Sequence, residues 1–303
     1  MIKVVDITAE NLAKFEKYIG LLKHQISADS LWLGALINDF PCGVLLAGRS
    51  HNEPTVCDIN HIFVPAPLRR EGIATCLFDA LLDKCKKFGY EELLFNAVID
   101  KKTIENIDAF LKNYGFEPLE IASNVYVFDD LDSILANKYV QRAIKGNFKL
   151  PKGIEILPLE KVDKELLEEV KRGINIAYPD YYALFQVDNL KDLPHINTFV
   201  AVANGKKVIG WLTGLDVYGV NVYYKTFYVE APYRNLGIGF HLMNACVKNQ
   251  YLRFKEVPAM CLISTKNASA EKFNSFFFKG VKKRTTHEVL MRKKIFQPKT
   301  LTS

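Results

Sequence analysis

The sequence predicts an α/β protein built twice over, and three observations predict it. Strand-like and helix-like segments recur in the same order in the two halves of the chain. One corner sequence also occurs twice, as "VPAPLRREGIA" at 64–74 and "VEAPYRNLGIG" at 229–239. With Val64 laid on Val229 the offset is 229 − 64 = 165, and the shared frame is V-x-A-P-x-R-x-x-G-I-small. Finally, 303 residues with 49% hydrophobic and 24% charged side chains are enough for two ordinary cores.

The first half opens with the alternating run 2–8, then an amphipathic helix within 10–23. Strands follow at 31–38, 42–48 and 56–64, separated by the turn pair Asn38-Asp39 and the cluster "GRSHNEP". After the corner, Ile73, Leu77, Leu81 and Cys85 recur at i, i+4, i+8 and i+12, which is one helix face, and Gly89 stops it. A strand at 92–99, a helix at 103–115 and strands around 116–122 and 125–129 complete the half. The second half repeats the order: strand 153–159, helix 163–177, strands 198–204, 206–215 and 220–229, helix 237–254, strand 259–265, helix 268–280 and a last strand 288–295. Asn204-Gly205 joins two of these strands as a hairpin. Residues 133–150 read as the connector, so the expected domains are 1–145 and 146–303.

Net charge is +6, unevenly placed. Residues 1–145 hold 16 Lys/Arg against 20 Asp/Glu, a balance of −4, and residues 146–303 hold 24 against 14, a balance of +10. Much of that excess is a C-terminal cluster (Lys279, Lys282, Lys283, Arg284, Arg292, Lys293, Lys294), which reads first as a solvated strand edge. Six cysteines without a C-x-x-C pair, no secretory signal and no apolar run of membrane length point to a cytoplasmic protein with reduced core thiols. No metal is expected.

The repeated corner has a chemical reading. A helix start leaves N–H groups unpaired and carries partial positive charge, so it suits a phosphate. Gly72 and Gly237 lack a Cβ and admit close approach to the main chain. Ala74 and Gly239 keep the next turn narrow, and Arg69, Arg70 and Arg234 suit a diphosphate. Neither copy has the G-K-[ST] of a phosphate-binding loop or the three glycines of a dinucleotide fingerprint.

R-x-x-G-x-[GA] between a valine-ended strand and a helix, here "RREGIA" and "RNLGIG", resembles motif A of the GNAT N-acetyltransferases. "NYGF" (113–116) and "FKGV" (278–281) resemble the looser motif B. The two matches cover nearly the whole chain as a tandem pair. The resemblance implies two folds, each a mixed, mostly antiparallel sheet that splays in the middle and is flanked by helices. It implies acetyl-CoA in the splay, its pantetheine against Ile62, Phe63 and Val64 or Phe227, Tyr228 and Val229. The pyrophosphate would rest on the amides of Arg70, Glu71, Gly72, Ile73, Ala74 and Thr75, or of Asn235, Leu236, Gly237, Ile238, Gly239 and Phe240.

Acetyl transfer needs an amine that has lost its proton. In the histone-acetylating branch of the family a glutamate six residues before the motif valine is the base, and Asp58 stands there; Tyr223 is its counterpart in the second copy. Strand alternation sets Asp58, Asn60 and Ile62 on the face of Val64 and His61, a second candidate base, on the other. The motif B tyrosine that protonates the leaving thiolate in many members is replaced by Leu111, and by Phe276 or Asn274; Tyr114 is adjacent but off register. Asn267 matches the motif B asparagine that touches cofactor, whereas Asn106 is displaced. The aromatic region 178–194 falls where the family lines its acceptor site. The function expected is transfer of an acetyl group to a primary amine of a small molecule, with no nucleic acid or membrane partner. Two alternatives remain: a non-catalytic acyl-CoA-binding regulatory pair, and an acetyltransferase for a peptide or RNA-associated target.

Overall fold

Turn chemistry and helix spacing set the boundaries of the first elements. A computed structural model describes residues 1–25, 29–50, 53–144, 149–185 and 191–295. Parts of the "GRSHNEP" cluster, the connector and the aromatic region therefore lie outside the described residues. The elements run β1 (Ile2–Asp6), α1 (Leu12–Ile19), β2 (Ser30–Ile37), β3 (Phe40–Arg49), β4 (Val56–Phe63), α2 (Ile73–Phe88), β5 (Glu92–Ile99), α3 (Lys101–Asn113) and β6 (Glu120–Phe128). Then come α4 (Leu131–Ala136), α5 (Lys138–Ile144), β7 (Ile154–Pro158), α6 (Lys164–Arg172), β8 (Phe199–Ala203), β9 (Lys207–Val217), β10 (Asn221–Val229), α7 (Ile238–Arg253), β11 (Ala259–Ser264), α8 (Ala268–Phe277) and β12 (Arg284–Lys294). Asn38 and Asp39 both adopt positive φ (50° and 65°), as do Asn204 and Gly205 (51° and 64°), the twist a two-residue hairpin needs. Asp100 and Asn267 cap α3 and α8, accepting from Thr103 N and Ala270 N.

Contacts divide the chain into two units, Met1–Ala122 with His287–Ser303, and Ser123–Thr286. The first unit carries strand order β1-β2-β3-β4-β5-β12, and the second carries β7-β8-β9-β10-β11-β6. In each, all pairings are antiparallel except one. β4 and β5 run parallel over Val56–Ile59, and β10 and β11 over Val222–Tyr224. Beyond those short parallel stretches each pair parts company, which opens a gap in the sheet. Ile73, Leu77, Leu81 and Cys85 of α2 are fully buried against β2, β3 and β4, so the four-residue spacing marks the inner face of the helix.

The last strand of each unit comes from elsewhere in the chain than the repeat order suggests. β12 pairs with β5, from His287↔Ile99 to Lys294↔Glu92, and β6 pairs with β11, from Ala259↔Phe128 to Ser264↔Ser123. Val289 and Met291 of β12 are buried in the same core as α2. This is an exchange of equivalent strands between copies of a repeat.

A chain ending at residue 145 would lack β12, the native partner of β5, and its core would lack Val289 and Met291. Circular dichroism melts should show that such a chain loses its cooperative transition. Joining 284–295 after residue 122 through a short linker should restore the transition. A full-strength transition in the chain 1–145 would mean that β12 is dispensable to this unit.

Candidate functional site

A bulge in the strand before each corner decides which side chains face which way. In β4 the register with β3 jumps between Leu46↔His61 and Ala47↔Ile59, leaving Asn60 unpaired in the ladder. In β10 the jump falls between Tyr224 and Phe227. An extra residue reverses the alternation of side chains. Ile59 faces the α2 core, and so, past the bulge, do Ile62 and Val64. The second copy shows the same set: Tyr224, Phe227 and Val229 face α7. Simple alternation is therefore corrected at one point: Asp58 does not share a face with Ile62 and Val64. It lies on the face opposite α2, as do His61 and Phe63, which turn toward α1.

The corner itself is closed by an arginine. Arg69 Nε donates to Val64 O at 3.0 Å, and Arg234 Nε donates to Val229 O at 2.9 Å. Each bond folds the strand end back on the turn and leaves the guanidinium exposed. Gly72 and Gly237 then start their helices in the left-handed region, at φ 79° and 78°. A Cβ at either glycine would meet no protein atom within 4 Å, so conformation demands the glycine and the space before it stays open. The first turn of α2 has no side-chain cap and no acidic residue. Its intrahelical ladder begins with Cys76 N on Gly72 O, which leaves the amides of Ile73, Ala74 and Thr75 facing outward without helical acceptors.

In the first unit a groove of about 700 Å³ runs along this corner. Ile62, Phe63, Val64, Arg69, Arg70, Gly72, Ile73, Ala74 and Thr75 line it, while Glu71 is exposed outside it. Its other wall is Leu68 with Thr103, Asn106, Ile107 and Phe110, the last four on α3. Thr103, Ile107 and Phe110 lie outside the residues that the motif resemblance implies, and Asn106, out of register by motif alignment, joins them in the lining. Their spacing of three and four was the signal, because it sets one face of α3 against the corner. The volume is that of a small-molecule site.

The second corner has the same backbone and a different front. Aligning the helix caps Asp100 and Asn267 gives 267 − 100 = 167, which places Phe273 where the first copy has Asn106. With the 165 offset, Phe227 and Phe240 stand for Ile62 and Thr75. The Phe273 ring packs 5.1 Å from Phe227 and 5.2 Å from Phe240, and Phe240 lies 5.9 Å from Phe276. A Cβ on Gly239 would come within 2.9 Å of the Phe227 ring. Aromatic side chains thus occupy the space that is groove in the first unit. A separate cavity of about 150 Å³ in the second unit touches Phe227 but none of residues 234–240. Arg234, Asn235 and Leu236 are exposed on the turn, Ile238 is in the core, and Tyr228 packs 4.6 Å from Trp211.

The remaining candidates have distinct environments. His61 Nε2 lies 3.0 Å from Tyr18 O; facing a carbonyl, that nitrogen donates, which leaves the lone pair on Nδ1. Burial lowers the His61 pKa below its ordinary value, so the ring is neutral at pH 7. Asp58 is half-buried, and burial first, then Glu53, raise its pKa, while Ser50 and Arg292 oppose them. Its Oδ1 is buried with no hydrogen-bond partner. Tyr114 donates to Asp79 at 3.0 Å and to Thr75 O at 3.3 Å, with a pKa pushed up to about 12, and so ties α3 to α2. Tyr223 is buried within β10 between Leu215 and Met260 of its neighbours. Asn267 uses its side chain as the α8 cap. In the basic cluster Arg284 pairs with Asp129, Arg292 bridges Glu53 and Glu92, and Lys283 lies over the Tyr126 ring. Those pairings leave less free positive charge for a polyanion than the count suggests. Among the described residues no helix is long and apolar enough to cross a membrane.

Residues 3–122 match a family described as acetyltransferase (GNAT) domain, and residues 164–273 match one described as acetyltransferase (GNAT) family. Among solved structures, a tandem GNAT protein from the clavulanic acid biosynthesis pathway is similar, with 13% identity and a TM-score of 0.70 over 98% of this chain and 99% of its own. A GCN5-related N-acetyltransferase from Sphaerobacter thermophilus is similar with 12% identity and a TM-score of 0.65 over 98% and 96%. No curated protein sequence matches the chain.

If conformation is what demands the corner glycines, Gly72→Ala and Gly237→Ala should each cost about 1–2 kcal/mol, the strain of a left-handed residue with a Cβ. Urea unfolding measures it. No loss in either variant would contradict a left-handed corner.

Proposed function

The chain belongs to the GNAT acetyltransferase family, with one such domain matched in each half, and from that premise we propose that its N-terminal copy acetylates a primary amine of a small molecule. The observation that carries this reading is the open groove before Gly72, set against the aromatic side chains at the second corner. The groove residues fit acetyl-CoA. Free first-turn amides and the exposed guanidiniums of Arg69 and Arg70 suit its diphosphate, and Ile62, Phe63 and Val64 with the apolar part of α3 suit its pantetheine. When bound, acetyl-CoA supplies an activated acetyl thioester. The resemblance implies cofactor residues at either corner; the reading favoured by the geometry is a single site at the first, with the residues at 227–229 and 234–240 serving the fold of the second copy.

His61 is the base in this reading. Its Nε2–H is held by Tyr18 O, so Nδ1 takes the proton of the incoming ammonium and leaves a nucleophilic amine. Asp58, on the same strand face, attracts that ammonium. Tyr114 is engaged with Asp79 and is no acid for the leaving thiolate. A thiol of pKa about 8.5 leaves without one. Tyr223 lies in the other unit and has no part in the step. The non-catalytic alternative predicts no turnover with any amine. The nucleic-acid alternative is weakened by the ion pairs of the basic cluster.

A thiol-release assay over amines, amino acids, polyamines and peptides tests the reading. His61→Gln should lower kcat/KM by about 10²–10⁴. The wild-type rate should fall on acidification through a pKa below 6.5, because burial favours the neutral ring, and the variant should lack that limb. Unchanged rate and profile in His61→Gln would remove it as base. Gly72→Val should abolish turnover while Gly237→Val retains it; the reverse pattern would move the site to the second copy.

A further inference from the structure

One carboxylate of the first unit is left unmet. Asp58 stands in a row across three strands: it is in register with Leu94 of β5, which is in register with Arg292 of β12. Leu93, Phe95, Val289 and Met291 are buried in the α2 core, so this row points to the opposite face, the one His61 shares. The Ser50 hydroxyl donates to the Asp58 carboxylate, yet Oδ1 is buried with no partner.

A half-buried carboxylate with an unmet oxygen is a place for a cation, because burial without a partner is costly. Arg292, the cation in the row, is already committed: it bridges Glu92 and Glu53, with Nη1 2.7 Å from Glu92 Oε1 and Nη2 2.9 Å from Glu53 Oε1. Glu53 adds to the negative field at Asp58. An ammonium beside Asp58 would offset the burial that raises its pKa. The side chain keeps partial exposure, and χ2 of aspartate is a broad torsion, so Oδ1 can turn outward to meet it. That ammonium is not the amine that reacts. Asp58 and His61 are three positions apart on β4, about 8–10 Å with allowance for the bulge.

We propose that the acceptor is an aliphatic diamine, with one amino group presented to His61 and the second held as an ammonium by Asp58. The inference rests on the acetyl-transfer reading of the first copy. An extended chain advances about 1.2 Å per bond, so four to six carbons set the two nitrogens about 6–8 Å apart, and a hydrogen-bond length at each end closes the rest. Leu94, beside Asp58, offers apolar surface to the methylenes. The reacting nitrogen gives one proton to His61 Nδ1 and a second to the departing thiolate, as its C–N bond to the acetyl carbon replaces the C–S bond. The nitrogen at Asp58 keeps all its protons.

1,5-Diaminopentane and 1-aminopentane differ only in the second ammonium, and their ratio is taken within each variant, so a general loss of activity cancels. In the thiol-release assay kcat/KM for the diamine should exceed that for the monoamine at least about tenfold, the low end for a charge-assisted hydrogen bond, mostly through KM. Asp58→Asn should bring the ratio close to one, and Asp58→Glu should keep it above one. Equal kcat/KM for the two amines in the wild type, or an undiminished ratio in Asp58→Asn, would overturn the proposal. Calorimetry in the presence of coenzyme A separates this site from the base. There His61→Gln should lose turnover yet keep the binding preference for the diamine, whereas Asp58→Asn should lose that preference. If neither amine is turned over, the acetyl-transfer reading fails and calorimetry still decides the diamine site. A preference present in the wild type and absent in Asp58→Asn upholds the site, and its absence from the wild type overturns it.

Discussion

An arginine that reaches back five residues to a strand-end carbonyl governs how both halves of this protein present their helices. Arg69 on Val64 and Arg234 on Val229 close a turn that the chain leaves through a left-handed glycine in both copies. Glycine takes that conformation without strain, and the helix that follows begins with bare amides. The bulge just before the corner completes the arrangement. It turns Ile62 and Val64 onto the α2 side while keeping His61 and Phe63 on the α1 side.

With one backbone built twice, side chains decide what each copy can do. Where α3 offers Asn106 to the corner, α8 offers Phe273, and the consequences propagate through contact. Phe273 stacks with Phe277 and meets Phe227 and Phe240, and the ring of Phe227 lies close above Gly239. Such aromatic packing stabilises the second unit from within, in the space where the first unit is open. A duplicated fold can hold one copy open and let the other pack shut, since the sheet and helices of each unit are complete either way.

Local pattern made much of this legible. The i, i+4 face of α2, the Asn-Asp and Asn-Gly hairpins and the two corners follow from spacing and turn chemistry alone, because each depends on residues a few positions apart. The strand exchange was not legible. β6 and β12 are both antiparallel strands with apolar alternation, both stand after a motif B helix, and either would fit the β5 edge by pattern. The bulge was hidden for a similar reason, since "VCDINHIFV" reads as an unbroken strand and the extra residue shows only in the register. The closing of the second corner could have been found. The run "FNSFFFKG" puts Phe273, Phe276 and Phe277 at helical spacing on the side that faces the corner, a signal that a search for glycine and arginine passes over.

The central claim is that the groove beside Gly72 is open to cofactor while aromatic rings fill the corresponding front beside Gly237, and backbone amides report it directly. Hydrogen exchange on the full chain, with and without acetyl-CoA, compares residues 70–75 with residues 235–240. The account predicts slowed exchange on cofactor addition at 70–75 and an unchanged rate at 235–240. Slowed exchange at 235–240, with or without the first corner, would contradict it.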